Sequence, residues 1–216
     1  RYGEDDSITT IVCDNGTDEY NDASIEIKNF VATEDDKKTE TSDEVPEYLS
    51  TYVAPTELGT DPLSYNIEIE NQVYTLPAPV SVFTDNGWKI ASQEDSVPSG
   101  RSLSSAIKLQ KDGKEIEASV TNFADYQTKP ENCAISYLYF YADESKNPEV
   151  KLPGGITIKS TSEDVKKWAG DKFDYSKSGD SEYYDYYDDD NEGYIDINCK
   201  KTVSSMSVKK ETWPSK

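Results

Sequence analysis

From residue 65 onward, apolar and polar positions alternate in short runs, and a turn signal separates most runs from the next. Alternation with period two marks strands that bury one face. Tyr65, Ile67 and Ile69 alternate with Asn66, Glu68 and Glu70, and Gln72 to Leu76 supply a hairpin partner that turns at Glu70-Asn71. Asp112-Gly113 sits between two alternating runs, the mark of a two-residue hairpin. That register places Leu109 opposite Ile116 and Lys108 opposite Glu117, with Ile107, Leu109, Ile116, Ala118 and Val120 on the buried face. The longest apolar stretch, AISYLYFYA from Ala134 to Ala142, reads as a buried strand, and Asn132–Tyr141 is expected in the same sheet. Three more strands are expected near 181–188, 193–200 and 203–210. Before residue 65, SITTIVC (7–13) and ASIEIKNFV (23–31) predict a hairpin across the turn-rich DNGTDEYND.

Helical signals are fewer and shorter. Pro79 can open a helix that Gly87 ends in the left-handed conformation, which throws Trp88 back onto the sheet. Ser160-Thr161-Ser162-Glu163 has the form of a capping box, with Ser160 as N-cap and Glu163 at N3; the helix then runs through Val165 and Trp168 to Gly170. LPGGITI just before it predicts a turn and a strand, and Pro46–Tyr52 a short helix. Residues 33–62 carry nine acids, two lysines and three prolines, the composition of a linker. The expected organisation is a hairpin (1–32), an acidic linker (33–62) and two α+β units (63–147 and 148–216). Each unit is a short helix packed on an antiparallel sheet. The two units look like a degenerate repeat, each with a Leu-Pro, a short helix ending at Gly with a Trp nearby, and then strands.

Composition narrows the function classes. Forty-three acidic residues face twenty-two basic ones, a net charge of −21. Such a field repels phosphate backbones and anionic membrane surfaces, so nucleic acid is not an expected partner. Only 34% of residues are apolar, but sixteen Tyr add rings that bury area while their hydroxyls stay hydrogen-bonded. No run is long enough for a transmembrane helix. The complete lack of His removes Ser-His and Cys-His nucleophile systems and the commonest metal ligand. There is no phosphate-binding glycine loop, and the spacing of Cys13, Cys133 and Cys199 fits no zinc pattern. No catalytic residue and no cofactor other than calcium is expected.

Two candidate sites stand out. Between Lys177 and Lys200 there is no positive charge, and Asp188-Asp189-Asp190-Asn191-Glu192-Gly193-Tyr194-Ile195-Asp196 follows a calcium-binding EF-hand loop. Asp188, Asp190 and Glu192 fall at ligand positions one, three and five, Gly193 at six and Asp196 at nine; position twelve is Cys199 in place of Glu, and the flanks alternate as strands do. The competing reading is a solvated hairpin loop. The tyrosines Tyr183, Tyr184, Tyr186, Tyr187 and Tyr194 form the second candidate. A row of exposed Tyr makes a sticky surface for peptides or sugars, whereas strand alternation would send half of the rings into the core. Trp88, Trp168 and Trp213 read as core or tail anchors.

Several motifs resemble a known group. Tyr74-Thr75-Leu76-Pro77, Asn86-Gly87-Trp88-Lys89-Ile90 and Leu109-Gln110-Lys111-Asp112-Gly113-Lys114 look like uncharacterised secreted lipoproteins of anaerobic Gram-positive bacteria. So do Leu152-Pro153-Gly154-Gly155-Ile156-Thr157, Ser160-Thr161-Ser162-Glu163-Asp164-Val165 and Gly170, so that the resemblance spans 65–212. The helix-plus-meander unit is similar in outline to β-lactamase-inhibitor-protein and small outer-membrane lipoprotein modules. These resemblances imply a secreted or envelope-anchored protein, and a chain that opens on Arg1 leaves room for a lipid anchor upstream. The expected function is a non-catalytic module that contacts another protein or a cell-wall component. The alternative is a calcium- or carbohydrate-binding module built on 180–196 and its tyrosines.

Overall fold

The structure is a computed structural model and describes residues 11–13, 23–25, 41–189 and 192–214. The chain divides into two units, Arg1–Glu40 and Thr41–Lys216. In the first, β1 (Ile11–Cys13) pairs antiparallel with β2 (Ala23–Ile25), Ile11 opposite Ile25. This pairing falls within the expected N-terminal hairpin; the remainder of its expected strands, 7–10 and 26–31, lies outside the described residues.

The second unit is mostly β-structure. Its strands are β3 (Asn66–Ile69), β4 (Gln72–Thr75), β5 (Ala78–Pro79), β6 (Lys89–Gln93), β7 (Ser102–Lys111), β8 (Lys114–Thr121), β9 (Ala134–Tyr141), β10 (Val150–Lys151), β11 (Asp174–Ser178), β12 (Ser181–Tyr187), β13 (Gly193–Cys199) and β14 (Val203–Lys210). Two short helices accompany them, α1 (Val80–Asp85) and α2 (Ser162–Ala169). Among the described residues, no helix is long and apolar enough to cross a membrane. One antiparallel sheet has the order β10-β3-β4. The other has nine strands: β11-β12-β13-β14-β9-β8-β7-β6 in sequence across the sheet, with β5 also paired to β9.

Local chemistry explains the hairpins. Asp112 and Gly113 take φ of 50° and 80°, the positive values that a two-residue turn between twisted strands requires. The resulting register is the expected one, Leu109 opposite Ile116 and Lys108 opposite Glu117. Ile107, Leu109, Ile116, Ala118 and Val120 are all buried. Glu70 and Asn71 turn β3 into β4 in the same way, with φ of 50° and 65°. Pro79 precedes α1, Gly87 takes φ of 89° just after it, and Trp88 is buried on the large sheet's inner side. There, Tyr74 of the small sheet stacks on Phe83 of α1, with ring centroids 4.0 Å apart and planes 6° apart.

Four expectations differ from what is found. The strands of the two expected α+β units run together, because β14 pairs with β9 in one continuous sheet over one core. Backbone hydrogen bonds carry no mark of unit boundaries, so an edge strand from one run can close on another. Residues 41–62 of the expected linker are built into this unit. They form 3-10 turns at Glu47–Thr51 and Pro62–Ser64, with Leu49 and Pro62 buried. Sparse apolar residues suffice there because Tyr48 packs between Phe123 and Trp213, at 5.7 and 4.9 Å. Helix α2 starts one residue later than the Ser160 cap would place it. Thr161 accepts from the Asp164 N–H, and the Asp164 carboxylate accepts from the Thr161 N–H, so Thr161 is the N-cap and Asp164 is N3. Ser160 is held elsewhere: its carbonyl accepts from the Val203 N–H and its hydroxyl from the Thr157 N–H. Finally, Pro153–Gly155 is a 3-10 turn, and Ile156 bridges back to Leu152 without a strand following.

Candidate binding face

One face of the large sheet packs into the core, and the other carries partly exposed side chains of β9, β12 and β13. Along β13 the positions alternate strictly: Ile195, Ile197 and Cys199 are buried, while Tyr194, Asp196 and Asn198 stand on the other face, half-buried. The same alternation in β12 sends Tyr184 and Tyr186 inward. Tyr184 is buried, and Tyr186 packs on Phe173 at 5.7 Å. Tyr183 and Tyr187, opposite Asn198 and Tyr194, lie on the open face. The five tyrosines of the sequence cluster are therefore divided, with Tyr183, Tyr187 and Tyr194 outward and Tyr184 and Tyr186 inward.

β9 contributes the tyrosines that the sequence reading missed. Leu138 and Phe140 point into the core, and Tyr137, Tyr139 and Tyr141 stand on the open face. The register brings them beside the β13 residues, with only β14 between: Tyr137 opposite Lys209, Lys209 opposite Tyr194. Because β14 offers the small Ser205 and Ser207 on this face beside Lys209, the larger rings fold over it. Both serines are buried. The rings form a continuous line, Tyr141–Tyr139 (4.4 Å), Tyr139–Tyr137 (6.3 Å), Tyr137–Tyr194 (5.7 Å) and Tyr194–Tyr187 (5.7 Å). Burial raises the Tyr139 hydroxyl to about 12, and Tyr194 is raised for the same reason, so both stay protonated donors. Lys209 lies in this line with its ammonium 5.8 Å from the Tyr194 ring and 2.6 Å from Glu211.

One row across the face is acidic. Asp174 of β11 stands opposite Asp185 of β12, and Asp185 opposite Asp196 of β13. Like charges directly opposite each other destabilise a sheet. Asp196 answers by holding its proton: burial, then the hydrogen bond to Asp185 and that residue's charge, push its carboxyl up to about 7. Asn198 donates to Asp196 (3.0 Å) from two residues further along β13. Next to these strands, a groove of about 640 Å³ opens over β8 and β9. Tyr137, Tyr139, Tyr141, Lys108, Glu117 and Lys146 line it, and neither Asp185 nor Asp196 does.

The calcium-like residues occupy different places. Asp188 closes the β12–β13 hairpin on the inner face. It accepts from the Glu192 and Gly193 N–H groups (both 3.0 Å), from Lys210 (2.5 Å) and from the Tyr65 hydroxyl (3.2 Å). Burial would raise its carboxyl, but Lys210, the Gly193 N–H and Tyr65 together hold it below the ordinary range. Glu192 accepts from the Thr212 hydroxyl, and Asp196 lies three residues beyond Gly193, on the opposite face of the sheet. Asp190 lies outside the described residues. Gly193 does not make the left-handed turn of a calcium loop. It is the first residue of β13, where a Cβ would lie 2.5 Å from the Tyr65 hydroxyl oxygen and 2.6 Å from an Asp188 oxygen. Among the described residues, no three acidic or Cys side chains gather closely enough to hold a metal ion. Cys133 and Cys199 are buried free thiols, and the side chain of Cys13 lies outside the described residues. No family model, curated protein or solved structure matches the chain.

Proposed function

We propose that this chain is a non-catalytic recognition module of the cell envelope or the extracellular space, and that it holds a partner protein on the open face of the large sheet. The observation that carries this is the line of five tyrosine rings from Tyr141 to Tyr187 on the face of the sheet turned away from the core. Tyr is enriched in protein interfaces because a rigid ring gives large contact area at low entropic cost and keeps a hydroxyl to hydrogen-bond with. Tyr141 and Tyr187, at the ends of the line, remain 48% and 56% exposed, which supplies rings for a partner to cover. The proton-sharing pair Asp185–Asp196 is not read as catalytic, since it stands on an open sheet and outside the groove, where nothing would exclude water around a substrate. The lipoprotein resemblance of 65–212 supports the envelope location.

A second reading, carbohydrate recognition, rests on the groove, where Tyr139 and Tyr141 meet edge-on beside Lys108, Glu117 and Lys146. Ring faces next to polar groups suit sugars. Immobilised wild-type chain, a Tyr137→Ser/Tyr187→Ser variant and an inner-face control, Tyr175→Ser, separate the readings when passed over solubilised envelope proteins and over purified wall polysaccharide. A protein retained by wild type and control but not by the open-face variant supports the first reading. Retention of polysaccharide moves the assignment to the groove. Equal retention of proteins by all three chains refutes the first reading, and failure of the wild-type chain to retain polysaccharide refutes the second.

A further inference from the structure

The backbone brings Asp185 and Asp196 together by necessity. The Asp188 N–H donates to the Gly193 carbonyl (3.0 Å), so hydrogen-bonded pairs recur every second residue along the hairpin from that point. Asp185 and Asp196 then form a pair without backbone hydrogen bonds between them, where Cα atoms come to about 4.5 Å and side chains are closest. A hydrogen bond between two carboxyls placed this way requires that one of them be protonated. The charged and titratable groups that face them are Asp174 from β11, Tyr183 and Tyr187 from β12, Tyr194 from β13, Lys209 from β14 and Tyr139 from β9. Lys209, the one cation among these described groups, is engaged by Glu211. Asp174 adds a second negative charge directly across the sheet, so no neighbour replaces the proton.

The strands on the far side form one edge of the sheet. β11 is an edge strand, exposed along its whole length, and it is paired to β12 alone. β12 is held on its inner face by Tyr184, Tyr186 and Glu182, and on its outer face it meets β13 at the Asp185–Asp196 pair and the Tyr187–Tyr194 rings.

We infer that Asp185 and Asp196 form a proton-operated latch: one shared proton fastens β12 to β13, and its loss sets two carboxylates against each other and loosens the β11–β12 edge of the open face. Its consequence for recognition rests on the reading of that face as the binding surface, because Tyr187 and Tyr183 ride on β12. The direction follows from linkage. The folded chain keeps a proton that the unfolded chain releases in the ordinary carboxyl range, so the pair's contribution is present at acidic pH and is lost as pH rises through about 7.

The test uses the free, full chain. Carboxyl-carbon NMR of 13C-aspartate-labelled protein should show one step near pH 7 belonging to the pair. Asp185→Asn and Asp196→Asn should each abolish that step. Amide exchange, corrected for intrinsic rates, should lose about thirtyfold protection in β11 and β12 relative to β8 between pH 5.5 and 8.5, the scale of one proton released over about 1.5 pH units. Both Asn variants should show no such selective loss. Completion of all aspartate titrations below pH 5, persistence of the neutral step in both variants, or an even loss of protection across the sheet would overturn the latch. If either variant fails to fold, the wild-type titration and exchange decide. Because no ligand is involved, failure of the latch leaves the binding reading intact, and failure of the tyrosine variants to alter retention leaves the latch intact.

Discussion

Replacing Gly193 with Ala separates a structural glycine from a metal-loop glycine. The added methyl would lie 2.5 Å from the Tyr65 hydroxyl oxygen, 2.7 Å from its Cζ and 2.6 Å from an Asp188 oxygen. The Tyr65 ring cannot swing aside freely, because its hydroxyl donates to Asp188 and Lys210 lies 5.3 Å from its centroid. Overpacking of this kind costs about 1–3 kcal/mol. A hydrogen bond to a charged acceptor is worth about 1.5–3 kcal/mol, and the displaced ring gives up part of it. The methyl returns about 0.5–1 kcal/mol by restricting the unfolded chain. The expected net loss is about 2 kcal/mol, which at a urea slope of about 2 kcal/mol/M lowers the midpoint by roughly 1 M. Tyr65→Ala removes the obstructing ring, so the Tyr65→Ala/Gly193→Ala double variant should be less destabilised than the sum of the single variants. The loss should be the same with and without calcium. A midpoint change below about 0.3 M for Gly193→Ala, or strict additivity in the double variant, would refute the packing argument.

Three further outcomes follow from named contacts. Thr161→Ala should cost about 1 kcal/mol in thermal or urea unfolding because it removes the α2 cap, whereas Glu163→Ala, one position off the box, should cost less than half of that. In a Cys13→Ser background, neither remaining thiol should react with a disulfide reagent at pH 8 until denaturant is added, since burial pushes Cys133 up to about 12 and Cys199 up to about 11; rapid native labelling would contradict the buried placement. Glu182 accepts from Ser162, Lys177 and Tyr184, with the Ser162 hydrogen bond acting first, and these hold its carboxyl down at about 2. Its contribution is therefore present above the ordinary carboxyl range and is lost as pH falls from about 4.5 toward 2. Stability profiles of wild type and Glu182→Gln should converge over that window, and parallel profiles would count against the assignment.

The sequence by itself determined what depends on neighbours along the chain. Turn chemistry at Asp112-Gly113 and Glu70-Asn71 fixed both registers, because positive φ is available to few residues and a two-residue turn leaves one pairing. Alternation located β12, β13 and β14 to within a residue, and Gly170 ended α2 where expected. Even there, Thr161 outcompeted Ser160 as cap because β14 claims the Ser160 carbonyl, a contact forty-three residues away. The candidate face was half legible: period two said that some of Tyr183–Tyr187 point outward, but not which side the core would take. Ser136-Tyr137-Leu138-Tyr139-Phe140-Tyr141 held the same signal, masked because Tyr counts as apolar in a buried run. Only the tertiary structure decided that β9 and β13 lie on either side of the small serines of β14, so that five rings join into a line. Only it placed Asp174, Asp185 and Asp196 in one row. Strand order is set by long-range burial and backbone pairing, and those forces leave no local pattern in the chain. The acidity that reads in sequence as a solvated loop is, in the fold, partly an inner-face ion pair at Asp188 and partly a proton-sharing pair on the open face.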